Sequence, residues 1–246
     1  GPDKGRTASG PRSPISASVG TVAIPPLASL GILISPMSPM STPGILFIIP
    51  IALFNLDIHN ISDSLNVLLS CFSNIVLAII LWFIYRKELK KEWNIFRNKA
   101  LENVDIMVKY WVIGLVCMMA SNILISVLFK TGQAENEQAV QSMITALPWA
   151  MLIDAGILAP FVEEVVFRKC FRNVFKKGWL FVLVSGLVFG GMHVVTSSSI
   201  VGYLFIIPYS CLGISFALMY DKTDTIFTSV FAHMLHNTLL TLISIL

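Results

Sequence analysis

Charge is scarce in this sequence. Aspartate, glutamate, lysine and arginine make up 13% of the 246 residues, about half the share found in soluble globular domains. Two long stretches, residues 110–129 and 178–220, contain no charged side chain. Each is long enough to cross the hydrocarbon core of a bilayer, which takes roughly 20 apolar residues in a helix. The composition therefore excludes an ordinary soluble domain and predicts a membrane-embedded protein.

Other features are also absent. There is no run of basic residues with interleaved aromatic side chains, and the net charge is only +3, so no nucleic-acid partner is expected. No Cys-x-x-Cys pair occurs, which argues against a disulfide framework or a zinc knuckle. The cysteines lie in or beside apolar segments and are interpreted as small buried hydrophobic residues. They are Cys71, Cys117, Cys170 and Cys211.

Residues 1–44 differ in composition from the rest of the chain. Nine of the twelve prolines lie in the first 50 residues, and serine and glycine are frequent there. Gly1-Pro2 is typical of the scar left when an expression tag is cleaved, so part of this segment is expected to be foreign. Its apolar part, residues 19–35, contains a Pro-Pro pair and predicts a broken span. Residues 45–246 are predicted to form the membrane-embedded domain.

The apolar stretches predict an all-α bundle of seven transmembrane helices, or eight. In lipid, backbone polar groups find partners only within helices or closed barrels, and these stretches have the length of helices. A short stretch, residues 44–56, adds to the full-length candidates and pairs with the broken span before it. The full-length candidates are residues 64–85, 108–129, 143–162, 178–196, 200–220 and 225–246.

Lysine and arginine in the short loops predict the orientation. Segment 86–99 carries six of them and segment 168–177 carries five, whereas residues 130–142 carry one. Because cytoplasmic loops are enriched in these residues, the basic segments are predicted to face the cytoplasm and the C-terminus to lie outside. The spacing of apolar residues over 87–107 also predicts a helix lying along the cytoplasmic surface.

Ionisable side chains within the predicted spans and at their ends are few. Each costs roughly 3 kcal/mol or more at the bilayer centre unless it is paired or hydrated, so such residues are typical of functional sites. Three of the four histidines are among them. The set is Asp154, Glu163, Glu164, Arg168, His193, His233 and His236.

The first polar segment follows Pro160. Glu164 and Arg168 are four residues apart and can pair along one helix face, whereas Glu163 points about 100° away. One glutamate thus has a counter-ion in its own helix, and the other is free to point elsewhere. Pro160 removes a backbone hydrogen bond and is expected to open the helix nearby. Taken alone, this segment could equally cap a span at the cytoplasmic interface.

The other two polar segments are four-residue pairs. Phe189 and His193 share a face in a glycine-rich span, and such glycines let a second helix approach closely. His233 and Asn237 share a face in the last span. Singly, these pairs are more typical of a hydrogen-bonded core histidine and of polar contacts between helices. A carboxylate, two imidazoles and an amide together are the components of a hydrolytic site.

One geometric condition follows from the helix rise. If its span starts at residue 143, Glu163 lies about 30 Å along it, whereas His193 lies about 22 Å along its own span. The two can meet only if the helix that carries Glu163 continues to Val174 or Phe175. The apolar spacing there predicts that it does.

The three motifs together resemble those of the CPBP family, the CAAX proteases and bacteriocin-processing enzymes also called Abi proteins. The order and spacing of Glu163-Glu164-x-x-x-Arg168, Phe189-x-x-x-His193 and His233-x-x-x-Asn237 agree with its three signature motifs. The resemblance covers residues 143–246. It implies an α-helical intramembrane endopeptidase in a bacterial plasma membrane that opens toward the cytoplasm.

The resemblance also implies roles for individual residues. Glu163 would activate a water molecule as general base, and His193 would orient that water or donate a proton. His233 and Asn237 would form the oxyanion hole. Arg168 would balance charge, and Glu164 would assist or have a structural role. The implied substrate is a peptide or protein at the membrane, either prenylated or bearing a leader sequence, and no cofactor is expected.

Three alternatives stay open at this point. Glu163, His193 and His233 could bind zinc with an open position for water, although the chain has no His-Glu-x-x-His motif. A non-proteolytic scaffold or bacteriocin-immunity protein could retain the same fold. A transporter is suggested by Asp154 and Pro208 within spans, without a visible inverted repeat.

Overall fold

The computed structural model describes residues 61–246. The predictions for residues 1–44 and 44–56 fall outside the described residues. Residues 61–246 form helices without strands, and their elements are numbered here in chain order. They are α1 (Asp63–Asn98), α2 (Ala100–Phe129), α3 (Glu135–Ala146), α4 (148–175), α5 (Trp179–Val194), α6 (Ile200–Thr223) and α7 (Phe227–Ile245).

The protein is an all-α membrane bundle, as predicted. Within residues 61–246, α1, α2 and α6 are long and apolar enough to cross a membrane, and α5 is a shorter apolar helix. Helix α2 is the most peripheral of the three long helices, with only 11% of its most apolar window buried. A count of seven or eight transmembrane helices stays a prediction.

The basic segment after the first span is a continuation of α1. This helix runs unbroken to Asn98 and ends at Lys99, whose backbone (φ −126°, ψ 37°) is not helical. The surface helix predicted over residues 87–107 is therefore wrong, because these residues are divided between the end of α1 and the start of α2. The buried residues Leu89 and Glu92 anchor the α1 extension to the bundle.

Helix α4 continues to Phe175, which confirms the condition set by the helix rise. Its 28 residues would measure about 40 Å, and Glu163 lies near the middle. Two segments widen into π-helix, Asp154–Leu158 and Val165–Cys170. Such segments within α-helices often occur at functional sites. They flank the two adjacent glutamates on either side.

The first π-segment has an identifiable cause. Pro160 has no N–H to donate to Gly156 O, and its ring crowds that carbonyl. The N–H of Ala159 bonds to Asp154 O, the five-residue spacing of a π-helix. Two carbonyls of α4 are thereby released, and both are hydrogen-bonded by α7. The prediction that Pro160 opens the helix is confirmed.

Glycines set the spacing of α5 and α6. A Cβ added to Gly186 would lie 2.7 Å from the backbone nitrogen of Ile214, and one added to Gly190 would lie 2.8 Å from that of Ser210. Neither backbone can move away easily, so α5 and α6 pack in direct backbone contact. The close approach predicted from these glycines is confirmed, and it fixes the height at which His193 stands.

The helices bring the charged segments to two different ends of the bundle. The basic end consists of residues 86–99, 168–177 and 221–226. It is held together by Arg172 Nη2, which lies 2.7 Å from Asp224 Oδ1, and by Thr225 Oγ1, which donates to Glu92 O at 2.9 Å.

The opposite end consists of residues 130–135 and 195–199. There the backbone N–H of Ser198 donates to Glu135 Oε2 at 3.0 Å. The end of α2 and the start of α6 meet at the same place, where Ile125 and Phe205 belong to one buried cluster. Helix α7 starts at the basic end, so its C-terminal residues extend toward the opposite end.

Candidate active site

Three helices carry the predicted site. Helix α4 supplies Glu163, Glu164 and Arg168, the last two turns of α5 supply Phe189 and His193, and α7 supplies His233 and Asn237. The two glutamates, Arg168 and His233 are each at most 3% exposed. The His233 imidazole stands between the two carboxylates and is the centre of the arrangement.

Glu164 pairs with two cations or potential cations. Arg168 Nε lies 3.2 Å from Glu164 Oε2, which confirms the pairing predicted from the four-residue spacing. On the other side, His233 Nδ1 donates to Glu164 Oε1 at 3.1 Å. Glu164 thus fixes the orientation of the His233 ring and directs its second nitrogen, Nε2, away toward Glu163.

Arg168 has further contacts besides Glu164. Its Nη1 donates to Ser185 Oγ at 3.1 Å, and Ser185 Oγ donates in turn to Phe167 O at 2.7 Å. The guanidinium carbon lies 4.8 Å from the centre of the Phe189 ring, within the range of a cation–π contact. The sequence did not single out Ser185. Its position four residues before Phe189, on the helix face that also carries His193, is the signal that could have found it.

Glu163 is placed differently from its neighbour. Its Oε2 is buried and accepts no hydrogen bond, and His233 Nε2 lies 3.8 Å away. This separation is longer than a direct hydrogen bond, and one water molecule placed to one side could bond to both atoms. The predicted difference between the two glutamates, one paired and one free, is confirmed.

His193 reaches the site from the end of α5. Its Nδ1 donates to Phe189 O at 2.8 Å, which leaves Nε2 without a proton in the neutral ring. The imidazole stacks on Tyr209, with ring centres 4.6 Å apart. The Phe189 ring lies 4.5 Å from the His193 ring and 5.7 Å from the His233 ring. Phe189 therefore packs against both imidazoles.

One N–H of the Asn237 side chain has a structural role. Its Nδ2 donates to Ala155 O at 3.0 Å, one of the two carbonyls released by the π-segment. The next residue, Thr238, donates through Oγ1 to Gly156 O at 3.3 Å. An amide nitrogen has a second N–H, so Asn237 retains one donor beside His233.

A cavity of about 210 Å³ adjoins this cluster. His193, His233 and Asn237 line it, and so does His236, whereas Glu163 lies behind His233 and is not part of the lining. From the histidines, the cavity extends along α7 to Ser244 and along α3 to Asn136.

The cavity extends away from the basic end. Its lining residues on α3 and its farthest residue on α7 belong to the half of the bundle at the opposite end. On the basic side of Glu163, the side chains of Arg168, Lys169 and Glu92 are buried and fill the bundle. The opening toward the cytoplasm that the resemblance implied stays a prediction.

Asp154 has a structural explanation. Its carboxylate accepts hydrogen bonds from Ser70 Oγ at 2.5 Å and from Asn74 Nδ2 at 2.8 Å. These contacts join α1 to the π-segment of α4. Both donors come from α1, about 80 residues earlier in the chain, and no local pattern connects them to Asp154.

Metal ligation was an alternative from the sequence. In residues 61–246, no group of three or more histidine, cysteine, aspartate or glutamate side chains is arranged to hold a metal ion. Of the three candidate ligands, Glu163 and His233 lie side by side. The contacts of His193 are with Phe189 and Tyr209.

Comparison with known proteins adds the family. Residues 145–239 match a family model described as Type II CAAX prenyl endopeptidase Rce1-like. Over these residues, less than half of its length, the chain is similar to this family. The match covers the CPBP motif region and all six predicted site residues. No solved structure matches the chain.

Two curated relatives match the chain. "Putative membrane peptidase YdiL" of Bacillus subtilis (strain 168) is 33% identical over 109 residues, which cover 43% of this chain and 41% of that protein. "UPF0177 protein YaiF" of Lactococcus lactis subsp. lactis (strain IL1403) is 31% identical over 159 residues, 63% of this chain and 66% of that protein. The matched region thus spans less than two thirds of either relative.

Proposed function

We propose that this protein is a glutamate-type intramembrane endopeptidase in a bacterial plasma membrane. The observation that carries the proposal is the buried Glu163 Oε2, which accepts no hydrogen bond and faces an imidazole nitrogen 3.8 Å away beside a cavity. A buried carboxylate oxygen without a partner is costly. Its retention is explained if a water molecule or a substrate group binds there during the reaction.

Glu163 acts as the general base in this proposal. A water molecule bound by Glu163 gives up a proton to the carboxylate, and its oxygen attacks the carbonyl carbon of the scissile peptide bond. The proton then passes from Glu163 to the leaving nitrogen as the C–N bond breaks. His193 Nε2, free to accept a hydrogen bond, orients the attacking water. A positioned base contributes about 10²–10⁴ in rate.

His233 and Asn237 stabilise the oxyanion. With His233 protonated, the charges of the two glutamates, Arg168 and His233 sum to zero. When Glu163 takes up the proton from water, the negative charge moves to the carbonyl oxygen, and the balance is unchanged. His233 Nε2–H and the second N–H of Asn237 are the donors, and one such donor contributes about 3–4 kcal/mol.

The orientation in the membrane follows the distribution of basic residues. We assign the basic end to the cytoplasm, because segments 86–99 and 168–177 carry eleven lysines and arginines, and cytoplasmic loops are enriched in both. Both curated relatives come from bacteria, which supports the plasma membrane. No metal is needed by this mechanism.

The test is peptide cleavage by purified protein in detergent, measured with a quenched fluorescent peptide library. Glu163→Gln should lower kcat by about 10²–10⁴ with an unchanged melting temperature. Glu88→Gln, the same substitution at an exposed position of α1, is the matched control and should retain full activity. Equal activity of the Glu163 variant and the control would sink the proposal and leave the scaffold or immunity alternative.

Chelation tests the absence of a metal in the mechanism. Dialysis against EDTA or 1,10-phenanthroline should leave the cleavage rate unchanged. Loss of cleavage that zinc restores would instead assign Glu163, His193 and His233 to metal binding.

A further inference from the structure

His193 stands at the end of its helix. Helix α5 ends at Val194, so no further turn of α5 packs over the imidazole. The Nδ1 hydrogen bond of the ring goes to Phe189 O in the same helix. The second side-chain torsion of a histidine has a broad energy profile, and one hydrogen bond leaves the ring free to tilt. A contact from outside α5 is therefore needed to fix the plane of the imidazole.

Tyr209 of α6 lies nearly flat against this imidazole. The two ring centres are 4.6 Å apart, and the ring planes differ by 27°. The Phe189 ring is also close, at 4.5 Å, but it is tilted by 45° and belongs to the same helix as His193. Among the aromatic contacts of His193 within residues 61–246, the stack on Tyr209 is the one that comes from another helix. It restricts the ring plane in a way that the contacts within α5 cannot.

Tyr209 is itself held in place. A Cβ added to Gly190 would lie 2.8 Å from the backbone nitrogen of Ser210, the residue after Tyr209, so α5 and α6 are in backbone contact at this height. The Tyr209 side chain also packs against the buried cluster that contains Ile125 and Phe205. The distance between the two stacked rings is thus set by a contact between two helix backbones, which cannot move apart easily.

The hydroxyl of Tyr209 faces α3. It interacts with the side chain of Asn136, and both residues line the cavity, as does Glu137. Among the lining residues of the described chain, Glu137 is the one acidic side chain, and none is lysine or arginine. Helix α3 thus contacts the end of the Tyr209 side chain, whereas His193 of α5 contacts the face of its ring.

We propose that Tyr209 is a positioning residue of the endopeptidase and holds the His193 imidazole in the plane from which Nε2 orients the attacking water. This inference rests on the proposed endopeptidase function. Tyr209 lies outside the three motifs of the sequence. Its ring carries the role, because the ring is the part of the side chain that stacks on the imidazole. Tyr209 acts through His193 and takes no part in the bond changes.

Cleavage kinetics of three variants in detergent, expressed per folded molecule, test this role. Tyr209→Leu removes the stack and should lower kcat by about 10–100-fold with an unchanged KM, because misplacing a group by about 1 Å can cost 10²-fold in rate. Tyr209→Phe keeps the ring and should retain the kcat of the wild type. Tyr203→Leu, the same substitution at an exposed tyrosine of α6, is the matched control. Equal kcat values for Tyr209→Leu and this control, or an equal loss in Tyr209→Phe and Tyr209→Leu, overturn the proposal.

Nitrogen-15 NMR of the histidine rings measures the order of His193 without any need for cleavage. The protonated Nδ1 and the unprotonated Nε2 of His193 should give two distinct signals, which are identified by their loss in His193→Ala. Both signals should broaden or average in Tyr209→Leu and stay sharp in Tyr209→Phe and Tyr203→Leu. If Tyr209→Leu does not fold, Tyr209→Met removes the ring with a smaller loss of side-chain length.

The two measurements separate this inference from the function on which it rests. Unchanged His193 signals in a folded variant without the ring overturn the positioning role, even if kcat falls. Absence of cleavage by the wild-type protein in detergent overturns the endopeptidase function instead, and the NMR signals still decide whether Tyr209 holds His193.

Discussion

Two buried ionic clusters in this molecule differ in whether all of their polar atoms are hydrogen-bonded. At the basic end, Glu92 Oε1 accepts from Lys169 Nζ and Tyr220 Oη, and Oε2 accepts from the backbone N–H of Ile226. Both carboxylate oxygens are used. In the candidate active site, Glu163 Oε2 and Arg168 Nη2 are buried without a hydrogen-bond partner.

The difference separates a structural cluster from a chemical one. A fully bonded polar cluster stabilises one arrangement of the chain, and here Glu92 joins α1 to α4, α6 and the start of α7. A cluster with unbonded atoms is less stable than it could be and is retained for another reason. The following predictions test whether substitutions in the first cluster act on stability and those in the second act on catalysis.

The largest effect is expected for Arg168→Leu, which should lower stability and activity together. It removes the counter-ion of Glu164 from a fully buried position, and breaking a buried ion pair costs about 3–5 kcal/mol. Thermal unfolding in detergent measures the loss, with Arg97→Leu, an exposed arginine of α1, as the control. If Arg168→Leu unfolded at the same temperature as this control, the ion pair of Arg168 with Glu164 would not contribute to stability.

The next largest effect is expected for Glu92→Gln, in the structural cluster. The amide cannot neutralise Lys169, so we expect a loss of about 2–4 kcal/mol in stability with kcat per folded molecule within a few-fold of wild type. The double variant Glu92→Gln, Lys169→Met should recover part of the loss, because removing both charges costs less than removing one. A large fall in kcat at unchanged stability would contradict the division into two clusters.

The two clusters also differ in how far the sequence predicts them. The pairing of Glu164 with Arg168, the separate direction of Glu163 and the extension of α4 follow from helix periodicity, which is local. Glu92 is 77 residues from Lys169 and 128 from Tyr220. It lies in a segment rich in lysine that is typical of a solvated surface. Its burial depends on where α4 and α6 pack against α1, and no local pattern encodes that.

The cavity was beyond prediction for a similar reason. Its lining comes from six helices, and α3 was expected to be mostly loop and the start of a span. The family resemblance supplied the motif residues, whose catalytic roles stay a prediction, as does the membrane face toward which the site opens. The end at which space remains depends on which side chains fill the other end.

A smaller effect is expected for Thr238→Val. Thr238 lies at the active site, but its hydrogen bond to Gly156 O has a structural role. The substitution leaves Gly156 O without its donor, and an unsatisfied buried carbonyl costs about 1–3 kcal/mol. In a Pro160→Ala background, the restored N–H at residue 160 can take over the carbonyl, so Thr238→Val should then cost much less. Unfolding of the four proteins in a double-mutant cycle measures this coupling. Additive effects would show that Pro160 is not the reason for the contact.

The smallest effect is expected at the cavity rim, where Glu137→Gln should change substrate choice and leave stability unchanged. We expect kcat/KM for a peptide with lysine near the cleavage site to fall about fivefold relative to the same peptide with methionine, the order of a partly exposed charge pair. Burial raises the pKa of Glu137 above its ordinary value. The lysine preference of the wild type should therefore be lost as the pH falls through that raised pKa, at a higher pH than for a fully exposed glutamate. Glu137 belongs to neither buried cluster, so a stability loss as large as that of Glu92→Gln would show that the cavity rim is part of the structural network. A lysine preference that does not depend on pH would show that another group selects the lysine.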